Sequence, residues 1–178
     1  MEKHGRRFTR RTMAVGAGVA VVAAVVVVVW FQPQKLFIDE RVDEAAPAAM
    51  AEPDEAPAPD DGPDEDAPAF TGDFRSIDHE TSGRVVLAPA ADGRYYARLQ
   101  DFQTENGPDL FVYLSAAPAS AEGRVFADEF VDLGPLRGNL GNQNYVVPEG
   151  TDIERYRSIV IWCRRFTSPF GAAPLERA

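Results

Sequence analysis

An all-β fold is expected here: a sandwich or partly closed barrel of about seven to eight strands, preceded by one transmembrane helix and a disordered acidic linker. Three observations carry this expectation. Met13–Phe31 is almost wholly apolar and lies inside an uncharged run from Thr12 to Gln34. Residues 43–68 hold ten acidic and no basic residues, interspersed with prolines. From Phe70 onward, short β-branched and aromatic runs alternate with Gly, Pro, Asn and Asp, the pattern of strands and turns.

The N-terminal elements follow from charge and length. Residues 1–12 carry Lys3, Arg6, Arg7, Arg10 and Arg11 and read as a basic cytoplasmic tail. Residues 13–31 read as an uncleaved signal-anchor. Nineteen residues at about 1.5 Å each would span about 28 Å, close to the thickness of a bilayer's hydrocarbon layer. Valine, present nine times in this stretch, becomes helical in lipid because each backbone group must bond within its own segment. Trp30 and Phe31 fit an interfacial aromatic belt. The small-residue site at 49–51 lies too far beyond the apolar run for signal cleavage. The expected location is therefore a cell membrane crossed once, with the C-terminal domain extracytoplasmic and the membrane itself a partner through 13–31.

Residues 32–69 read as a spacer rich in Pro, Ala, Asp and Glu. Such a composition buries too little apolar surface to offset chain entropy, and its like charges repel. The formal net charge of the 178 residues is −10, and the 43–68 segment alone accounts for a charge of that size. A chain so acidic lacks the basic face that nucleic acid requires. Its single cysteine excludes an internal disulfide framework and a zinc site of several thiolates.

Residues 70–178 hold the folded domain. Strands are expected at Gly83–Leu87, Tyr95–Phe102, Leu110–Ser115, Phe130–Leu133, Tyr145–Val147 and Ser158–Arg164, with Gly72–Ile77 adding another at the start. Ala116–Glu122 is at best a short helix. Residues 134–145 read as a long polar loop whose amides and glycines would line a pocket.

Cys163 is the one thiol in the sequence and the first candidate for chemistry. Strand alternation sets Ile159, Ile161 and Cys163 on one face, and Val160, Trp162 and Arg164 on the other. Two readings stand. The thiol is a small hydrophobe in the core, or it is a reactive group whose thiolate is stabilised by Arg164 and Arg165 just downstream. A lone cysteine also permits a cross-link between two chains. His79, flanked by Asp78 and Glu80, is a solvated loop side chain or a metal or haem ligand. Asp109, in the turn Asn106-Gly107-Pro108-Asp109-Leu110, shapes a turn or serves as a buried partner for an arginine or a cofactor. Two such ligands do not define a metal. No nucleophile elbow, P-loop, dinucleotide fingerprint or HExxH motif occurs, so hydrolase, kinase and nicotinamide-enzyme readings have no support.

Several segments occur in a familiar order: Gly72-Asp73-Phe74, His79-x-x-Ser82-Gly83, Leu99-x-Asp101-Phe102, Asn106-Gly107-Pro108-Asp109-Leu110, Asp132-Leu133-Gly134, Gly141-Asn142-Gln143-Asn144-Tyr145, Val160-Ile161-Trp162-Cys163 and Phe166-x-x-x-Phe170-Gly171. In this the chain resembles the DM-thirteen domain, the "electron transfer" domain found beside DOMON domains in Skeletor-type proteins and alone in many bacterial surface proteins. The resemblance implies an all-β extracytoplasmic module with a signature cysteine, here Cys163. That cysteine would be redox-active or would help bind a redox cofactor such as haem, and a redox or envelope protein would be its partner. No DOMON domain accompanies it. The competing expectation is a non-catalytic envelope binding or scaffolding domain with a structural cysteine.

Overall fold

The computed structural model of the chain describes residues 18–23, 25–26, 38–48 and 69–178. Among them, eleven strands form two sheets. The first has six strands and the second five. In chain order the strands are β1 (Arg41–Asp43), β2 (Phe70–Asp73), β3 (Arg75–Ser76), β4 (Thr81–Pro89), β5 (Tyr95–Thr104), β6 (Leu110–Ser115), β7 (Phe130–Pro135), β8 (Leu140–Val146), β9 (Ser158–Cys163), β10 (Ser168–Pro174) and β11 (Glu176–Arg177). The first sheet runs β1-β8-β5-β4-β2-β11 and the second β3-β10-β9-β6-β7.

The expected all-β class holds, with two corrections of form. There is no closed barrel: each sheet ends in two edge strands, β1 and β11 in one and β3 and β7 in the other, whereas closure would pair the edges. No transmembrane helix is found either. No helix of the described residues is long and apolar enough to cross a membrane. Of the expected 13–31 segment, residues 18–23 and 25–26 are described and are helical, and the rest lies outside the described residues.

The linker expectation also changes at its start. Arg41–Asp43 forms β1, which pairs in parallel with β8 in the register Arg41↔Leu140, Val42↔Gly141 and Asp43↔Asn142. Charged residues with no apolar period do not announce a strand. β1 exists because the β8 edge supplies its partners. Residues 49–68 lie outside the described residues.

The core is a single sandwich interior. Val85 and Leu87 from β4, Ala97, Leu99 and Phe102 from β5, and Tyr145 from β8 face Val112 and Leu114 from β6 and Ile159, Ile161 and Cys163 from β9. A second, smaller cluster covers the outer face of the five-stranded sheet. There Tyr113, Val160, Trp162 and Ala172 pack against Ala117, Ala119 and Phe126 from the 116–129 connection. This connection forms a 3-10 turn at Gly123–Ala127, a few residues after the expected short helix.

β10 was not among the expected strands, since Ser168-Pro169-Phe170-Gly171-Ala172-Ala173-Pro174 contains no β-branched run. Its small residues are what allow it to sit buried between β3 and β9. Pro169 lies beside a register shift and Pro174 at the strand end, where a missing donor costs the ladder least. The sheets approach closely at this strand. A Cβ on Gly72 would lie 1.9 Å from the Pro174 carbonyl oxygen, and backbone cannot swing aside as a side chain would. Gly72→Ala is therefore expected to destabilise the fold by about 1–3 kcal/mol in urea titrations. An unchanged midpoint would contradict this close approach.

Candidate functional site

β9 places the cysteine. It is the centre of its sheet, paired with β10 on one side and β6 on the other, and every residue from Ser158 to Cys163 is buried. Alternation divides these residues as the sequence predicts: Ile159, Ile161 and Cys163 enter the sandwich interior, and Val160 and Trp162 the outer cluster. Cys163 is a free thiol with no exposed surface. It ends its strand, however. Its cross-strand neighbours Leu110 and Ser168 each begin theirs, and the exposed turn of residues 164–167 follows directly. In that turn Thr167 holds a positive φ of 54°.

The Asn-Gly-Pro-Asp turn closes over this end. The Arg164 amide donates to the Asp109 carbonyl at 3.0 Å, so Asp109 meets the end of β9 through its backbone. Gly107 is required here, because a Cβ would lie 2.7 Å from Leu110 Cδ2 and 2.8 Å from Phe170 Cζ. On Phe170 the His79 ring lies stacked, with centroids 3.7 Å apart and planes at 27°. His79, Phe170, Gly107 and Leu110 thus form one contiguous set, and Phe170 and Leu110 share the core cluster of Cys163.

His79 is otherwise turned toward Glu105, whose Oε2 lies 2.8 Å from its Nδ1. That hydrogen bond, with a second from the Glu80 amide, holds the Glu105 carboxyl below the usual carboxylate range. The Arg164 side chain leaves on the opposite face from Cys163. Its Nε donates to the Tyr113 hydroxyl at 2.8 Å, its Nη2 pairs with Asp132, and its guanidinium lies 3.4 Å from the centroid of the Phe111 ring. Desolvation works against that charge, but the hydrogen bonds to Tyr113 and Asp132 outweigh it and raise the guanidinium above its ordinary value. Arg165 is exposed in the turn.

Beside the Asn-Gly-Pro-Asp turn lies a cleft of about 200 Å³, walled by Asp109, Phe111, Leu136, Arg137, Gly138 and Asn139. That volume is below the roughly 300–1,000 Å³ of typical cofactor clefts, which does not fit a haem. Among the described residues no group of three or more His, Cys, Asp or Glu side chains is placed to hold a metal ion.

Sequence reasoning missed what builds the cleft wall. Residues 140–144, expected as loop, are part of β8, of which only the end was expected as strand, and Gly141, Gln143 and Tyr145 are buried in alternation. The fully buried Gln143 Oε1 accepts from the Tyr145 hydroxyl at 2.8 Å and from the amides of Arg137 and Gly138 at 3.2 and 3.3 Å. Its Nε2 donates to the Gly138 carbonyl at 2.8 Å. One side chain therefore fixes the 136–139 loop and leaves none of its own polar atoms unpaired. The period-2 pattern Gly-x-Gln-x-Tyr was the available signal, masked by the polarity of every second residue.

Burial pushes the Tyr145 phenol up to about 12, against smaller opposing effects from Arg137. A raised phenol pKa gives stability that is fully present below the unfolded value near 10 and is lost as pH rises toward the folded value. Between pH 10 and 12 the protein is expected to lose about 2 kcal/mol through this group. Tyr145→Phe should flatten that slope in denaturation curves, and a parallel slope in the variant would contradict the assignment.

No curated protein and no solved structure matches the chain. The family model described as Electron transfer DM13 does match, over residues 73–175. That span takes in His79, the Asn-Gly-Pro-Asp turn, the Gly141–Tyr145 segment, Cys163 and Phe170. By that match the chain belongs to the Electron transfer DM13 family.

Proposed function

We propose that the domain has a redox role in electron transfer, with Cys163 as its redox-active group, shielded at rest and reached by local opening at the end of β9. The observation that carries this reading is the position of Cys163. It is the last residue of a buried strand, the next residue is bonded to the Asn-Gly-Pro-Asp turn, and it lies within the span that the family matches. A single cysteine forms no internal disulfide, so its two-electron chemistry needs an external partner. The Cys163 thiolate attacks a partner's disulfide sulfur, a mixed disulfide forms, and the partner's other sulfur leaves as thiolate.

In this scheme Arg164 is a positioning residue. Its guanidinium is engaged by Tyr113 and Asp132 on the far face, and it latches the strand end over the thiol. Arg165, exposed in the adjoining turn, is the second cation beside the strand end and would stabilise a thiolate once the turn opens. His79 and Asp109 hold the surroundings: His79 packs on Phe170, and Asp109 ties its carbonyl to the strand end.

A second reading rests on the complete burial of Cys163 among core side chains: a binding or scaffolding domain whose cysteine only packs. Native-state alkylation separates the two. With a small alkylating reagent, local opening predicts a labelling rate that barely changes at low urea and rises about tenfold in Arg164→Ala. A rate that tracks global unfolding at every urea concentration, and follows Arg164→Ala only through its loss of stability, would favour the structural reading.

A further inference from the structure

The outer edge of β8 carries an alternating set of polar groups that the redox reading does not use, and residues 38–45 lie along it. The backbone pairing is parallel, with the Leu140 amide donating to the Glu40 carbonyl at 3.2 Å and the Glu44 amide to the Asn142 carbonyl at 2.9 Å. The Asn139 Oδ1 accepts from the Glu40 amide at 2.7 Å, and Asn144 Nδ2 donates to the Ala45 carbonyl at 2.8 Å.

The side chains read carboxylates. Asp39 Oδ1 accepts from Asn139 Nδ2 at 2.8 Å and from Asn106 Nδ2 at 3.0 Å. Asp43 Oδ1 accepts from the Asn142 amide at 3.2 Å and from its Nδ2 at 3.3 Å. Glu44 accepts from the Asn144 amide at 2.8 Å and pairs with Arg137. Two glycines make room for the strand. A Cβ on Gly138 would lie 2.4 Å from the Glu40 carbonyl oxygen, and one on Gly141 2.2 Å from that of Val42.

We propose that this edge is a binding site for an extended acidic peptide segment, and that residues 38–45 are its resident, displaceable ligand. An open strand edge offers main-chain affinity, and alternate side chains give the specificity. Here the specificity is for carboxylates at the positions of Asp39, Asp43 and Glu44, with one apolar side chain, Val42, between them. The bonds are polar, several of them are exposed, and the ladder pairing covers only three residues, so a competing segment can replace them one for one. Twenty residues separate Ala48 from Ala69, and a connection of that length gives an effective concentration of order millimolar. A partner protein with a matching acidic segment competes against that concentration.

The test uses the full chain and a fluorescent peptide carrying residues 38–46. A variant with Asp39→Asn, Asp43→Asn and Glu44→Gln weakens the resident strand and should bind the peptide at least tenfold more tightly than the unaltered chain does. Adding Gly138→Ala should abolish that binding, and a peptide with the same three neutral substitutions should not bind. Equal binding by the unaltered and neutralised chains, or by the acidic and neutral peptides, would overturn the proposal. So would a dimer of the unaltered chain that the triple substitution dissociates, since the occupant would then be a second copy. Hydrogen exchange gives a reading that does not depend on the triple variant. In Gly138→Ala alone, the Leu140 and Glu44 amides should exchange at least tenfold faster while the β5–β8 ladder is unchanged, and unaltered protection at those two amides would contradict the proposal.

Discussion

The structure depends first on a strand that is buried on both faces. β9 has apolar residues at every second position on each side, so neither face can meet water, and the chain supplies a cover for both. The interior side chains of the six-stranded sheet cover one face. The 116–129 connection, through Ala117, Ala119 and Phe126, covers the other. Even the hydroxyl of Ser158 is satisfied within this cover, donating to the Ala117 carbonyl at 2.7 Å. With β9 fixed in this way, the position of Cys163 follows from parity alone: an interior-facing residue at the strand's last step. Arg164 follows equally, one step on and on the other face, where Tyr113 and Asp132 receive it.

β8 has a related division of labour with the opposite polarity. Its inward positions, Gly141, Gln143 and Tyr145, include a fully buried amide that organises the neighbouring loop. Its outward positions, Asn142 and Asn144, face the sheet edge and bond β1 and the residues around it. The segment Gly141-Asn142-Gln143-Asn144-Tyr145 therefore joins two tasks in five residues. Asn142 Oδ1 also accepts the Asp101 amide at 2.9 Å, at a residue with a φ of 47°. It thereby steadies a left-handed position that an aspartate tolerates better than most residues. A polar, glycine-rich stretch can be a strand when each side chain has a specific partner, even though its local propensity argues for a loop.

This explains which parts of the fold were legible in the sequence. β6 was read with the bounds the structure shows, because an apolar run follows a Gly-Pro turn and local and global signals agree there. The two faces of β9 were legible for the same reason. β1, most of β8 and β10 were not. One is charged, one is polar at alternate positions, one is built of Pro, Gly and Ala, and each is a strand only through partners distant in sequence. The expected helix at 13–31 rested on hydropathy and length, and no helix of the described residues is long and apolar enough to cross a membrane. At the site, alternation predicted which face Cys163 takes but not its burial, which depends on the turns closing over it from residues 107–109 and 164–167. The stacking of His79 on Phe170 had no local signal, since Phe170 lies in a strand that the local sequence did not announce.

The central claim is that this electron-transfer domain exchanges electrons through Cys163 from a shielded strand end. Protein-film voltammetry of the full chain in the presence of a small disulfide tests it most directly. The account predicts a redox response that disappears in Cys163→Ser while the variant keeps its fold by circular dichroism. A response of the same potential and size in the folded variant, or none in the unaltered chain, would contradict it.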